Sequence, residues 1–183
     1  DSTLYVPEEP GVTAKGDPPN DMLKTLTLEM LHTAYSASDW TRVYTDGSAE
    51  AAIKNGGSGI YVRYPDGKTT SRSLPAGGLS TNYRAELTAL RTAAEMICND
   101  QPRPHNIVFL TDCKSAIQRL QSPNEQLERD TRQLLCDLSQ GANVAVQWIP
   151  AHSGLYGNNE ADRLAKHGSF LKQQHTQKIL QRG

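Results

Sequence analysis

The stretch Ile107-Val108-Phe109-Leu110-Thr111-Asp112 is an apolar run that ends on a carboxylate. A pair of prolines breaks the chain just before it, so we predict a buried strand over 107–111. A shorter strand at Val43-Tyr44 likewise ends at Asp46. A helical crossover between these two strands implies that they pair in parallel. Asp46 and Asp112 would then lie at the same carboxyl edge of the sheet, where open α/β sheets place their sites.

The other segments extend this pair into an α/β fold with a mixed five-stranded sheet and helices on both faces. Further strands are predicted over 59–64, 69–74 and 144–149, with an Asp66-Gly67 hairpin turn between the first two. Helices are predicted from about residue 81, over 115–121 and 124–138, and from about residue 158. The predicted order is βββαβααβα.

Two more acidic motifs lie on the predicted helices. Glu86 ends the stretch Thr81-Asn82-Tyr83-Arg84-Ala85-Glu86, and Asp162 ends Gly157-Asn158-Asn159-Glu160-Ala161-Asp162. Any one of these acids alone would be read as a turn, cap or surface residue. If the fold gathers all four, they cannot all ionise unless cations share the site. Clustered carboxylates are the ligands that Mg²⁺ prefers, so the pattern indicates a metal-dependent nuclease.

The distribution of charge divides the 183 residues unevenly. The net charge is −1, but residues 1–40 hold seven acids against two lysines and the remainder is net +4. A mildly basic domain fits phosphate binding. We predict three parts: an acidic arm and accessory helix over 1–40 that links to a preceding domain, a catalytic domain over 41–170, and a basic tail over 171–183. Within the first part, residues 1–20 are expected to be irregular, the helix to cover about 21–37, and a truncation starting near Asp39 to keep activity.

Cysteine content and hydropathy bear on location. Cys98, Cys113 and Cys136 are odd in number and lack metal-ligand spacing, which favours a reducing intracellular compartment, the cytoplasm or nucleus. The longest apolar stretches are too short to span a bilayer, and no signal-peptide pattern is present. A start at Asp1 without Met suggests a fragment of a longer polypeptide.

The stretch Trp148-Ile149-Pro150-Ala151-His152-Ser153-Gly154, which leads into the Asp162 motif, is the most specific in the chain. With the other acidic motifs in order, residues from about 42 to 169 closely resemble type 1 ribonuclease H. The resemblance is greatest to the domain that non-LTR retrotransposon polyproteins carry beside a reverse transcriptase. It implies cleavage of the RNA strand of an RNA–DNA hybrid, with 3′-hydroxyl and 5′-phosphate ends. The short apolar stretches predict no membrane partner.

The same resemblance implies the catalytic residues. Asp46 would bridge two Mg²⁺ ions, for which Mn²⁺ would substitute. Glu86 and Asp112 would complete one metal site, and Asp162 would serve the other. His152 would assist proton transfer or product departure.

For substrate binding, the resemblance implies contacts to the minor groove by Asn82 and to the RNA by Gly47 and Ser48. Thr81, with Asn124, is the predicted pocket for a DNA phosphate. The chain departs from the family pattern in two places. Tyr83 replaces the usual amide after Asn82, and no basic, Trp-rich protrusion lies between Ser122 and Val144. An attached reverse transcriptase domain could supply the missing affinity for the hybrid.

The sequence leaves two alternative functions open. A non-catalytic ribonuclease-H-like module would tether domains or bind partners, but such modules typically lose carboxylates, and this chain keeps all four with His152. An integrase or a Holliday-junction resolvase would share the fold but would lack the Asn82 motif and the His152 loop.

Overall fold

The computed structural model describes residues 2–8, 19–49, 55–78 and 80–173. The strands are β1 (Leu4–Val6), β2 (Thr41–Ser48), β3 (Gly56–Arg63), β4 (Thr69–Gly77), β5 (Asn106–Thr111) and β6 (Asn143–Trp148). The helices are α1 (Asn20–Ala34), α2 (Asn82–Cys98), α3 (Lys114–Gln121), α4 (Gln126–Ser139) and α5 (Tyr156–Gly168). Within these residues, no helix has the length and apolar character needed to cross a bilayer.

The strands form one mixed sheet in the order β1-β6-β5-β2-β3-β4. The predicted α/β class is confirmed, and so is the parallel pairing of β2 with β5. Tyr44 lies opposite Leu110 in that register, so Asp46 and Asp112 both follow the last paired residues at one edge of the sheet. The sheet has six strands where five were predicted, because β1 was not anticipated.

The predicted irregular arm is wrong at residues 4–6, which form the edge strand β1. β1 pairs in parallel with β6, with Leu4 opposite Ala145. Just before β1, the Ser2 hydroxyl donates to the carbonyl of Ser139 over 3.2 Å. A strand of three residues is too short for a periodicity argument to detect. The rest of the predicted arm, 9–18, and the predicted tail from 174 lie outside the described residues.

Two hydrophobic clusters cover the two faces of the sheet. On one face α2, α3 and α4 pack over β-strand residues such as Val43 and Phe109. On the other face α1 and α5 pack over Tyr44, Val108 and Leu110. The predicted accessory helix is therefore part of the core.

The buried face of α1 carries Thr27, Met30 and Leu31, which are at most 7% exposed. Just beyond the helix, the Tyr35 hydroxyl donates to Gln147 Oε1 on β6 over 3.0 Å. These contacts join α1 to the centre of the sheet, which argues against the expectation that residues before Asp39 are dispensable.

We expect truncation at Asp39 to lower the thermal midpoint sharply, because it exposes Val108 and Leu110 to water. A point variant isolates the effect. Leu31→Ala should cost about 2–5 kcal/mol of stability, since Leu31 is 1% exposed. Leu28→Ala, on the outer side where Leu28 is 47% exposed, should stay within about 0.5 kcal/mol. Equal denaturant midpoints for the two variants and the parent would show that α1 does not contribute to the core and acts only as a linker.

Helix α5 approaches the sheet closely because β3 begins with glycines. A Cβ added at Gly59 would lie 2.1 Å from the carbonyl oxygen of Ala161. Gly59 is directly opposite Asp46 in the β2–β3 register. The missing side chain therefore lets the helix that carries Asp162 lie against the strand that carries Asp46.

Candidate metal centre and nucleic-acid cleft

Three of the four predicted carboxylates meet at the carboxyl edge of the sheet. Asp46, Glu86 and Asp112 each offer an oxygen, and these atoms all lie within 4.8 Å of one another. Asp46 comes from β2, Asp112 follows β5, and Glu86 points inward from the second turn of α2. The spacing suits ligands of one cation or of two adjacent cations.

Threonine hydroxyls hold Glu86 at the centre of this group. Its Oε1 accepts from Thr45 Oγ1 over 2.7 Å and from Thr111 Oγ1 over 2.8 Å, and the side chain is 2% exposed. Each threonine comes immediately before one of the aspartates. Each of the two strands therefore supplies both a candidate metal ligand and a hydroxyl that holds Glu86 in place. Sequence reasoning assigned Thr45 and Thr111 no role, although the repeated Thr-Asp pair was a usable signal.

Asp162 lies beside the other three rather than among them. Its carboxyl group lies close enough to that of Asp46 to raise the pKa of Asp46 further. The Lys166 ammonium lies 2.9 Å from Asp162 Oδ2. The ion pair joins residues one turn apart on α5 and balances part of the acidic charge.

The electrostatics of the cluster favour a cation. Burial raises the pKa of Asp46 well above its usual range, and the charges of Glu86 and Asp112 raise it further. Burial also raises the pKa of Glu86, as does the Asp112 charge, against the opposing effect of the threonine bonds. The pKa of Asp112 is raised mainly by burial, while His152 opposes the rise. A divalent ion would remove the repulsion that these shifts reflect.

Asn158 and His152 flank Asp112 from the α5 side. Asn158 is 3% exposed and donates its side-chain amide to the Asp112 carboxylate, while its Oδ1 has no hydrogen-bond partner among the described residues. His152 is exposed on a turn with a left-handed backbone, φ 54°. Carboxylate oxygens with an unpartnered buried amide oxygen fit a hard divalent metal. Sequence reasoning assigned no role to Asn158, although it lies inside the Asp162 motif.

A cleft of about 300 Å³ opens onto the cluster. Its lining comprises Asp46, Gly47, Asn82, Tyr83, Glu86, Asp112, Cys113 and Ser115. Asn82 Oδ1 accepts from the backbone N–H of Ala49 over 2.7 Å, which ties the start of α2 to the end of β2. The Asn82 side-chain NH₂ group is then the part of the amide that can donate to a ligand. The structure thus brings Gly47 and Asn82, both predicted substrate contacts, to the acidic cluster.

Comparison with known proteins decides the family. The model of the RNase H family matches residues 38–170. The chain belongs to the RNase H family. Curated relatives of this RNase H domain include the Ribonuclease H1 proteins of Rattus norvegicus, 30% identical over 145 residues (69% of the chain, 49% of the relative), and of Homo sapiens, 30% identical over 149 residues (72% and 50%). These relatives support a type 1 domain. The chain spans about half the length of the curated relatives that it matches.

A solved structure agrees with the fold of the RNase H domain. RNase H1 from the halophilic archaeon Halobacterium salinarum NRC-1 superposes with a TM-score of 0.56 at 22% identity, over 70% of this chain and 96% of that one. The likeness concerns the fold, which is the mixed α/β arrangement described above.

Three further predicted residues of the RNase H domain are not among those that line the cleft. Ser48 is the last residue of β2 and is half-buried. Thr81 caps α2, and its Oγ1 accepts from the backbone N–H of Arg84 over 3.0 Å. Asn124 is exposed in the loop before α4, outside the set of residues that line the cleft. The substrate roles of these three residues stay predictions.

Proposed function

We propose that the chain is an endonuclease that hydrolyses the RNA strand of RNA–DNA hybrids, leaving 3′-hydroxyl and 5′-phosphate ends. The observation that carries the proposal is the meeting of Asp46, Glu86 and Asp112 within 4.8 Å in a domain of the RNase H family. The relatives named Ribonuclease H1 support the same reaction.

Asp46, Glu86, Asp112 and Asp162 would hold two Mg²⁺ ions, with Mn²⁺ as a substitute. Such cations supply charge stabilisation for the attacking and leaving oxygens of a phosphodiester. The protein's own contribution is to keep the ligands in place before metal arrives. Thr45 and Thr111 hold Glu86, and Asn158 holds Asp112.

His152 would carry a proton or assist departure of the product. The residue is exposed on a turn bounded by Pro150 and Gly154, and the Ser153 hydroxyl donates to the carbonyl of Pro150 over 3.0 Å to brace that turn. This position lets the imidazole face both solvent and the acidic cluster, as a general acid or base requires.

Recognition of the hybrid would depend on shape and on 2′-hydroxyl groups rather than on base identity. Asn82 would reach the minor groove, Gly47 and Ser48 would lie beside the RNA, and Thr81 with Asn124 would bind a DNA phosphate. The segment from α3 to β6 contains only a loop and α4, with no Trp in 122–143. A reverse transcriptase domain in the same polyprotein would therefore supply added affinity.

We also propose that the chain comes from a retrotransposon polyprotein and that it works in a reducing compartment, the cytoplasm or the nucleus. Cys98, Cys113 and Cys136 are free thiols, which is compatible with such a compartment.

The test is a gel assay with one labelled strand in four substrates: RNA–DNA hybrid, RNA duplex, DNA duplex and single-stranded RNA. We expect cleavage of the hybrid alone, loss of cleavage in EDTA, and recovery when excess Mg²⁺ or Mn²⁺ is added, because the acidic ligands need a cation. Cleavage of the DNA duplex at a rate equal to that of the hybrid would contradict the substrate assignment. Undiminished cleavage in EDTA would contradict the metal assignment.

A further inference from the structure

Tyr83 replaces an amide of the family pattern, and its hydroxyl is already committed within the protein. It donates to Glu128 Oε2 in the first turn of α4. Glu128 is 1% exposed, so the bond lies inside the protein although Tyr83 itself lines the cleft. The phenol therefore connects the start of α2, where Thr81 and Asn82 lie, to the start of α4.

The other oxygen of Glu128 organises the loop that carries Asn124. Glu128 Oε1 accepts from the backbone N–H of Asn124 over 2.9 Å and from that of Glu125 over 3.0 Å. The carbonyl of Asn124 accepts in turn from the Arg129 guanidinium. Both backbone groups of Asn124 are thus bound by the first turn of α4, while its side chain stays exposed.

The charges of this network make the bonds stronger than neutral ones. Burial alone would raise the pKa of Glu128, but the hydrogen bonds from Tyr83, Asn124 and Glu125 and the Arg119 charge outweigh it and hold that pKa below its usual range. Burial and the Glu128 carboxylate raise the pKa of Tyr83, so the phenol stays a donor. A carboxylate that accepts from three donors is a stable anchor.

We propose that Tyr83 is a positioning residue whose bond to Glu128 holds the Asn124 loop at a fixed distance from Thr81 and Asn82 and so sets the affinity for the hybrid. The inference rests on the proposed function, in which those three residues contact the substrate. Of the two neighbours Asn82 and Tyr83, the proposal assigns hydrogen bonding to the minor groove to Asn82 alone. The Tyr83 hydroxyl already donates to Glu128. A duplex presents its phosphates at fixed spacing, so the distance between the two contact points matters.

The direct test is Tyr83→Phe, which removes one oxygen and keeps the ring packed against the core. We expect KM for the hybrid to rise about tenfold, because the loop must then be ordered when the substrate binds, with kcat within about twofold. The Kd for hybrid, measured by fluorescence anisotropy with Ca²⁺ in place of Mg²⁺ to slow cleavage, should rise by the same factor. Glu128→Gln is a second route to the same loss and should shift KM in the same direction.

Tyr64→Phe is the matched control, because the Tyr64 hydroxyl donates to Asp100 Oδ2 over 2.7 Å far from the acidic cluster. It should lower the melting temperature as Tyr83→Phe does but leave KM and Kd unchanged. Equal shifts of Kd in the two variants, or no shift in Tyr83→Phe, would overturn the proposal.

Coupling to Asn124 separates positioning from simple packing. Asn124→Ala should raise Kd in the parent and raise it much less in the Tyr83→Phe background. In that background the Asn124 loop is no longer held in position, so Asn124 contributes little to binding. Independent, multiplicative effects would overturn the proposal, and so would an Asn124→Ala variant that binds like the parent. A parent that binds hybrid but never cuts it would contradict the proposed nuclease function, while the Kd comparisons would still decide the role of Tyr83.

Discussion

Asp46→Asn is expected to lower turnover on RNA–DNA hybrid by orders of magnitude while the protein stays folded. Asparagine keeps the size of the side chain and removes the charge that both proposed cations share. Asp46 also lies against Glu86, Asp112 and Asp162, so its loss relieves repulsion in the metal-free protein. The variant should therefore melt slightly higher than the parent without Mg²⁺.

Thermal melts with and without Mg²⁺, run beside the cleavage assay, check this result. The parent should gain stability from Mg²⁺, by about 2.7 kcal/mol at a concentration one hundred times Kd, and the variant should gain little. His152→Ala is the comparison, because it should slow turnover more mildly and keep the stabilisation by Mg²⁺. An Asp46→Asn enzyme with the turnover of the parent would contradict the metal centre proposed for this edge of the sheet.

Gly59→Ala is expected to destabilise the protein by about 3 kcal/mol or more, at the upper end for overpacking. The added methyl group would lie 2.1 Å from Ala161 O and 2.4 Å from Ala165 N, which are backbone atoms of α5 and cannot rotate away. Relief requires α5 to move off the sheet. Because α5 carries Asp162 and Gly59 lies opposite Asp46, we expect binding of Mg²⁺ to weaken together with stability.

Gly141→Ala is the control for this variant, since a Cβ there would meet no atom within 4 Å. Its denaturant midpoint should stay within about 0.5 kcal/mol of the parent. A Gly59→Ala protein with the midpoint of the control would show that α5 does not rest on β3 as described.

The acidic cluster could be predicted because the position of each ligand follows from the pattern of apolar and polar residues near it in the sequence. Asp46 lies near the end of β2 and Asp112 directly follows β5, two strands whose parallel pairing follows from the connection between them, and Glu86 lies on a helix of clear periodicity. The hydroxyls of Thr45 and Thr111 were not predicted, since their direction depends on three elements that meet at Glu86. The Tyr83–Glu128 bond joins residues 45 positions apart and requires knowledge of how α2 and α4 pack.

The accessory helix shows a different limit of sequence reasoning. Its apolar stripe predicted a helix over about 21–37, in agreement with α1, but amphipathicity does not say which surface the stripe covers. Acidic composition suggested a linker, whereas Met30 and Leu31 lie against the sheet. Charge content describes the solvent face of a segment and carries little information about the face that is buried.

The pairing of β1 with β6 also constrains the order in which the protein can fold. The Ser2–Ser139 bond beside β1 closes a separation of 137 residues, so β1 can dock only after nearly all of the domain has been synthesised. Contacts this distant in sequence slow folding, because the entropy of a long loop is lost before the contact forms. Until then the outer edge of β6 stays open to other extended chains. The first strand along the chain thus joins its sheet late, and it covers an edge of β6 that could otherwise pair with a neighbouring nascent chain.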